Sequence, residues 1–374
     1  MGNAQQNNDA SPSIDIIIVN YNSANDTLTS VKSLTPWTHG QIILVDNSED
    51  DAEVERLSQA LSSAPSVQLL VAPKNLGFGR GCNLAFAQST ADFVFLLNPD
   101  AIIDEVNILC LVNALQQNQS YGAVSPLIYW DKSRRFLLPT AIPPTPSMSL
   151  TLALASRFKR VGKWWSQHYL KKMRAAMASK ILFKTPFLIG SVMLLRRSAV
   201  IAAGGLFDED YFMFFEDSDL SLRLRRASFQ LGVVPTAEAV HEYRQKDFKV
   251  PLMDESRHLY FKKNYPRFYR ATHGLAGLAR IGSTITWEDW GNALASEVHS
   301  HDELQRLLGN HLRLVALSPS AMMIPALFRP LDTGAVALSE EDWNQLEPGR
   351  YMLCCVQDTD TQQQCWICFI KTAK

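Results

Sequence analysis

The chain has 374 residues, 47% hydrophobic and 20% charged, which is enough for two cored domains or for one large domain with an appendage. A formal net charge of −1 gives no global attraction to nucleic acid, which is not expected as a partner. No apolar run is long enough to cross a bilayer and no N-terminal stretch resembles a signal peptide, so a cytoplasmic protein with six reduced cysteines is expected.

Residues 1–12 are polar, rich in Asn and Gln, and expected to be disordered. Ile14–Val19 is an apolar run ended by Asn20-Tyr21-Asn22-Ser23, which reads as a buried strand and a polar loop. A helical pattern over Thr27–Leu34 follows, then a second strand, Gln41–Val45, ended by Asp46-Asn47-Ser48. Glu53–Leu61 reads as helix and Val67–Val71 as a third strand. The glycine-rich turn Asn75–Cys82 leads into a helix over Asn83–Gln88, and Phe93–Leu97 is a fourth strand running into Asn98-Pro99-Asp100. Strands alternating with helices imply βαβ units and a parallel sheet, with the ligand site at the carboxyl ends of the strands.

Beyond Val124 the pattern loosens. Pro139–Pro146 reads as an extended linker and Leu150–Lys180 as basic helix. Leu188–Leu195 and the short Val233-Val234 read as strands, and Arg257–Tyr269 as a basic, aromatic helix. A composition shift near His273 sets off residues 274–374 as a second unit.

An acid just past a second parallel strand, as Asp46 is, commonly accepts hydrogen bonds from a base or ribose. Gly77-Phe78-Gly79-Arg80-Gly81 has neither dinucleotide nor P-loop spacing; it reads as a simple turn or as a close backbone approach to a ligand. Asp100 at a strand end suits a hard divalent cation bridging phosphates, and equally suits a turn after Pro99. Glu216 and Asp217 head a helical pattern after the aromatic run Tyr211–Phe215. Such a pair can cap a helix, or can sit on the floor of a cleft where a general base is needed.

Taken in order, four stretches resemble the inverting GT-A glycosyltransferases of family 2, in the rhamnosyltransferase-like branch: Ile18–Asn22, Val45–Ser48, Asn75–Gly79 with Asn83, and Leu97–Asp100. The run Gly204–Arg226 adds a fifth piece, with Leu206 as one extra residue, and the likeness covers about Ser13 to Arg270. The resemblance implies an α/β GT-A fold with a Rossmann-like, mostly parallel central sheet over residues 13–273. A basic insertion at about 150–184 would interrupt it, and a small α+β appendage at 274–374 would follow. It implies that Asn20, Asn22 and Asp46 contact the nucleoside and that Asn75, Gly77, Phe78 and Asn83 shape the nucleotide pocket. Asn98 replaces the first acid of the family's metal motif, leaving Asp100 to meet Mg²⁺ or Mn²⁺. Asp217 matches the general base, Glu216 its neighbour, and His241 a histidine that joins the metal or diphosphate. Glu242-Tyr243-Arg244-Gln245 departs from the small residues that usually follow it.

The implied donor is a nucleoside-diphosphate sugar, dTDP-rhamnose being favoured over a UDP-linked galactofuranose or hexose. The implied acceptor is a polysaccharide or lipid-linked glycan. The rival from another class is a non-catalytic scaffold that binds nucleotide sugar or glycan; a scaffold has no need of Asp217. Fourteen Lys or Arg and no Asp or Glu fall between Lys132 and Phe207. Within this stretch, residues 157–174 read either as a solvated basic helix or as one lying on anionic membrane. In the tail, Trp287–Trp290 and Glu340–Trp343 open helical stretches, and Tyr351–Val356 with Gln364–Ile370 reads as a hairpin. Cys354, Cys355, Cys365 and Cys368 are expected as thiols rather than zinc ligands, since adjacent Cys354 and Cys355 would point to opposite faces.

Overall fold

The computed structural model describes residues 12–139, 142–241, 249–273, 296–308, 312–320, 326–329, 338–357 and 364–372. The elements begin with β1 (Ile14–Asn20), α1 (Ala24–Ser33), β2 (Ile42–Asp46), α2 (Asp51–Leu61), β3 (Val67–Val71) and α3 (Phe78–Gln88). Next come β4 (Phe93–Leu97), β5 (Ala101–Ile102), α4 (Glu105–Gln117), β6 (Tyr121–Tyr129), α5 (Pro146–Arg157) and α6 (Lys159–Met177). They are followed by β7 (Phe183–Thr185), β8 (Val192–Arg196), α7 (Arg197–Ala202), α8 (Glu216–Arg226), β9 (Gln230–His241), α9 (Lys249–Asn264) and α10 (Pro266–His273). The last are β10 (Ser296–Val298), α11 (His301–Leu308), β11 (Leu312–Ser318), β12 (Leu327–Phe328), α12 (Glu340–Gln345), β13 (Gly349–Gln357) and β14 (Gln364–Lys371).

The chain falls into two compact units, both discontinuous. The first takes Met1–Pro126, Lys184–Ala239 and Gln245–Arg257; the second takes Leu127–Phe183, Val240–Arg244 and His258–Lys374. The boundary expected at residue 273 is therefore not where the compact units divide. The basic insertion clusters with the tail because its apolar inner face is buried there. Tyr169 stands edge-on to Phe328 at 6.0 Å, and Arg135 pairs with Asp342 at 3.0 Å.

The first unit is built on a sheet ordered β3-β2-β1-β4-β8-β6-β9-β5, with β7 beside β9. The strands β3, β2, β1 and β4 run parallel, as the βαβ pattern predicts. Beyond β4 the sheet changes sense, because β8 pairs with β4 antiparallel. Every residue of β1, β2 and β4 is buried, which explains why Ile16–Val19, Ile42–Val45 and Phe93–Leu97 are continuously apolar rather than alternating. Burying each isoleucine contributes about 1.5–3 kcal/mol. Asp50 caps α2 through the Ala52 N–H, and Asp104 caps α4 through the Asn107 N–H.

The second unit holds a five-stranded sheet, ordered β10-β14-β13-β11-β12. The expected hairpin is β13–β14, with Cys355 opposite Cys365 and Cys354 opposite Trp366; the turn between its strands lies outside the described residues. Cys355 faces a core that contains Trp130, Phe136, Trp343 and Phe369. Ser339 and Asp342 close a capping box on α12. Trp287–Trp290 lies outside the described residues, as do residues 1–11.

Candidate functional site

Four of the first unit's strands deliver polar residues to one edge of the sheet. Asn20 ends β1 and Asp46 ends β2, and the register sets them side by side. The Asn20 Nδ2 donates to Asp46 Oδ1 at 2.7 Å, while its Oδ1 accepts from Thr27 at 2.7 Å and Ser23 at 3.0 Å. Glu53 accepts from Asn20 Nδ2 at 3.2 Å and from the Ala24 N–H at 3.0 Å. The Ser48 hydroxyl donates to Asp46 Oδ1 at 2.8 Å and accepts from the Asn22 N–H at 2.9 Å. Asn20 is thus fully engaged in holding Asp46. The Asp46 Oδ2 is buried with no hydrogen-bond partner among the described residues. An orphaned buried acceptor costs about 1–3 kcal/mol, so this atom is poised for a donor from outside the protein.

The glycine loop is clamped from the same edge. Asn47 Nδ2 donates to Asn75 Oδ1 at 3.0 Å and to the Gly77 carbonyl at 3.1 Å, and Asn47 Oδ1 accepts from the Leu76 N–H at 2.8 Å. Asn75 Oδ1 also accepts from the Gly77 N–H at 3.0 Å. Gly77 caps α3 at φ +80°, and a Cβ there would lie 2.1 Å from the Phe212 carbonyl. That carbonyl accepts from the Phe78 N–H at 3.0 Å. Asn83 donates to the Phe207 carbonyl at 2.8 Å and accepts from its N–H at 3.0 Å. Both polar ends of Asn83 are therefore spent on tying α3 to the segment that leads to α8.

The same edge ties the Asn98–Asp100 turn and Asp217 to the residues that open β8. Asn98 N–H donates to the Ser191 carbonyl at 2.8 Å, just where β4 and β8 begin to pair. One residue earlier, Gly190 N–H donates to Asp217 Oδ2 at 3.1 Å. The Asn98-Pro99-Asp100 turn and Asp217 are thus linked by the two residues Gly190-Ser191. Asp217 and Asp100 are both half-buried. Phe214 and Phe215, at φ +69° and +65°, turn the chain sharply into α8. Bulky residues in that region cost about 1–3 kcal/mol each, a strain typical of functional turns. Arg223 locks the turn from behind, pairing with Asp219 at 2.7 Å and donating to the Gly205 carbonyl at 2.7 Å.

Burial pushes the Asp217 carboxyl above its ordinary range, against opposing hydrogen bonds from Gly190 and Ser218. Glu216 turns the other way. Its Cβ lies 3.7 Å from where a Gly79 Cβ would be, and it is 6% exposed. Burial first, and the Asp217 charge second, hold the Glu216 carboxyl well above its ordinary value. The folded state then binds a proton that the unfolded state has lost, so stability must fall as pH rises from about 4.5 toward the raised folded value. Glu216→Gln is expected to flatten this slope and to raise Tm near pH 8 relative to wild type. A Tm series over this range checks it.

His241 ends β9, is buried, and belongs to the second unit, whereas Asp100 belongs to the first. The residues 242–245 that follow it lie outside the described residues. Asn22 takes φ +50° just past β1. Among the described residues, no three His, Cys, Asp or Glu side chains gather into a metal cage. A single strand-end carboxylate still fits Mg²⁺ or Mn²⁺ when the phosphates of a substrate supply the other oxygens. Asn47, Ser48, Glu53 and Gly190 carry structural parts that motif reading did not assign. A polar side chain directly beside a matched residue was the available signal for the first two.

The model of glycosyl transferase family 2 matches residues 15–202, half of the chain, and stops just before the Gly204–Arg226 run. An N-acetylglucosaminyl-diphospho-decaprenol L-rhamnosyltransferase of Mycobacterium tuberculosis is 29% identical over 212 residues, covering 54% of this chain and 66% of its own. The low-salt glycan biosynthesis hexosyltransferase Agl10 of Haloferax volcanii is 27% identical over 234 residues, covering 61% of this chain and 66% of its own. The matched region thus spans just under two thirds of both relatives. The crystal structure of GalNAc-T7 with UDP, GalNAc and Mn²⁺ aligns with a TM-score of 0.53 at 13% identity, over 73% of this chain and 52% of that one. That likeness is one of fold, and the fold is of the GT-A kind.

Proposed function

The chain belongs to glycosyl transferase family 2, and from that premise we propose that it transfers a sugar from a nucleoside-diphosphate donor to an acceptor hydroxyl, with inversion, in the cytoplasm. The observation that carries this reading is the Gly190-Ser191 link, which holds a carboxylate of raised pKa beside the Asp100 turn. As the acceptor oxygen attacks the anomeric carbon, Asp217 takes its proton and the nucleoside diphosphate departs. A divalent cation held by Asp100, with the donor's own phosphates, would neutralise the departing diphosphate. Glu216, next to Asp217 at the head of α8, would position the acceptor or Asp217. Asp46 Oδ2 would accept the ring N–H of the base, with Asn22, Asn75, Phe78 and Asn98 around the nucleotide. A uracil or thymine ring supplies such a donor.

Rhamnose from dTDP-rhamnose is the favoured transfer, supported by the similarity to the Mycobacterium rhamnosyltransferase. The similarity to Agl10 keeps a hexose donor as the alternative. A polysaccharide or lipid-linked glycan would be the acceptor. Thermal-shift titration with dTDP and UDP, with and without Mn²⁺, tests the site. Asp46→Asn swaps the free acceptor for a donor at constant size, so the nucleotide Kd is expected to rise roughly 10–100-fold. Absence of any metal-dependent nucleotide stabilisation would favour the non-catalytic scaffold.

A further inference from the structure

The helices α5 and α6 leave large apolar side chains in solvent. Leu150, Leu154 and Phe158 follow one another at four-residue spacing, and Phe158, Val161 and Trp164 at three. Trp164 is 61% exposed, Leu150 58% and Phe158 53%. Each spacing keeps its side chains on one face of its own helix, and Phe158, extended in backbone, is the joint between the two helices. The opposite face of α6 is satisfied, because Tyr169, Leu170 and Met173 are buried. Several large exposed apolar side chains on two successive helices mark an interaction site.

The charge around the row selects the partner. Arg157, Lys159, Arg160, Lys171 and Lys172 are exposed beside it, in a stretch that contains no Asp or Glu from Lys132 to Phe207. We infer that this face docks on an anionic lipid bilayer, with Phe158 and Trp164 inserted at headgroup depth and the cations against lipid phosphates. A protein partner would need matching acids as well as an apolar groove, whereas an anionic bilayer offers both features over its whole surface. The helices would lie on the membrane, since no helix among the described residues is long and apolar enough to cross it. The five-stranded sheet packed behind α6 then acquires a purpose: it stiffens the docking face. This inference is independent of the transferase reading, because its test records binding and not turnover.

Flotation of the full chain with vesicles of equimolar phosphatidylglycerol and phosphatidylcholine tests it, against vesicles of phosphatidylcholine alone. Salt-sensitive flotation is expected with the anionic vesicles only. Phe158→Glu combined with Trp164→Glu is expected to weaken partitioning by about tenfold or more, with Tm unchanged. Lys171→Glu with Lys172→Glu is expected to weaken it too, by about tenfold, through charge alone. Three results overturn the proposal: no flotation at low salt, undiminished flotation of both variants, or a dimer in solution that Trp164→Glu dissociates. The last would assign the face to a second copy of the chain.

Discussion

Asp217→Asn is expected to lower kcat roughly 10²–10⁴-fold, the usual contribution of a positioned general base. The amide matches the carboxylate in size but accepts no proton, so the loss falls on the chemical step. Asp217 Oδ1 accepts from the Ser218 N–H at 2.6 Å and Oδ2 from the Gly190 N–H at 3.1 Å. An asparagine can satisfy one of these and must turn a donor toward the other, which costs about 1 kcal/mol of stability. The proposed nucleotide contacts lie at the β1–β2 end, so nucleotide affinity is expected to stay near wild type by thermal shift. Transfer kinetics and nucleotide affinity measured on the same preparation separate the two effects. If transfer persists near the wild-type rate, another group takes the proton and the Gly190–Asp217 contact is only a structural tie between α8 and the loop before β8.

The parallel half of the first unit's sheet was legible because its physics is local. Val67–Val71 and Phe93–Leu97 are strands over the residues read from sequence, and Phe93–Leu97 is an apolar run closed by Asn98-Pro99-Asp100. α3 starts at Phe78, five residues before the pattern predicts. Gly79 and Gly81 are poor helix formers, but packing overrides propensity there, since a Cβ on Gly81 would meet Val19 at 3.0 Å. What the sequence hid is long-range. Gly190 meets Asp217 across 27 residues, and no local pattern marks that pairing. α4 and β6, which lie before and across Val124, were unread, and β9 runs over Gln230–His241 where only Val233-Val234 was expected. The split of Leu150–Lys180 at Phe158, and its clustering with the tail, likewise depend on tertiary burial. The different surroundings of Glu216 and Asp217 follow from helix geometry, because successive residues point about 100° apart. A motif read as a string gives both acids one environment; a helix gives them two.

The same contrast between local and tertiary causes makes Gly77→Ala the substitution with the largest expected cost to folding. Two penalties combine at this position. A non-glycine residue at φ +80° is strained by about 1–2 kcal/mol. The added Cβ would also stand 2.1 Å from the Phe212 carbonyl and 2.8 Å from its ring. Relieving that clash moves the carbonyl off the Phe78 N–H and disturbs the Asn47 clamp on the loop, a further loss of about 1–2 kcal/mol. The sum is about 3 kcal/mol, or roughly 6–12 °C in Tm for a unit of this size. Gly204→Ala is the control that isolates the clash, for Gly204 sits at φ +91° with nothing within 4 Å of the built Cβ. Backbone strain alone predicts about half the loss there. Gly77→Ala should also abolish nucleotide-induced stabilisation, because the loop it displaces is the one that Asn47 holds against the strand ends. Equal Tm losses in the two variants would mean that the Phe212 carbonyl yields freely, and then the segment leading to α8 does not brace the nucleotide loop.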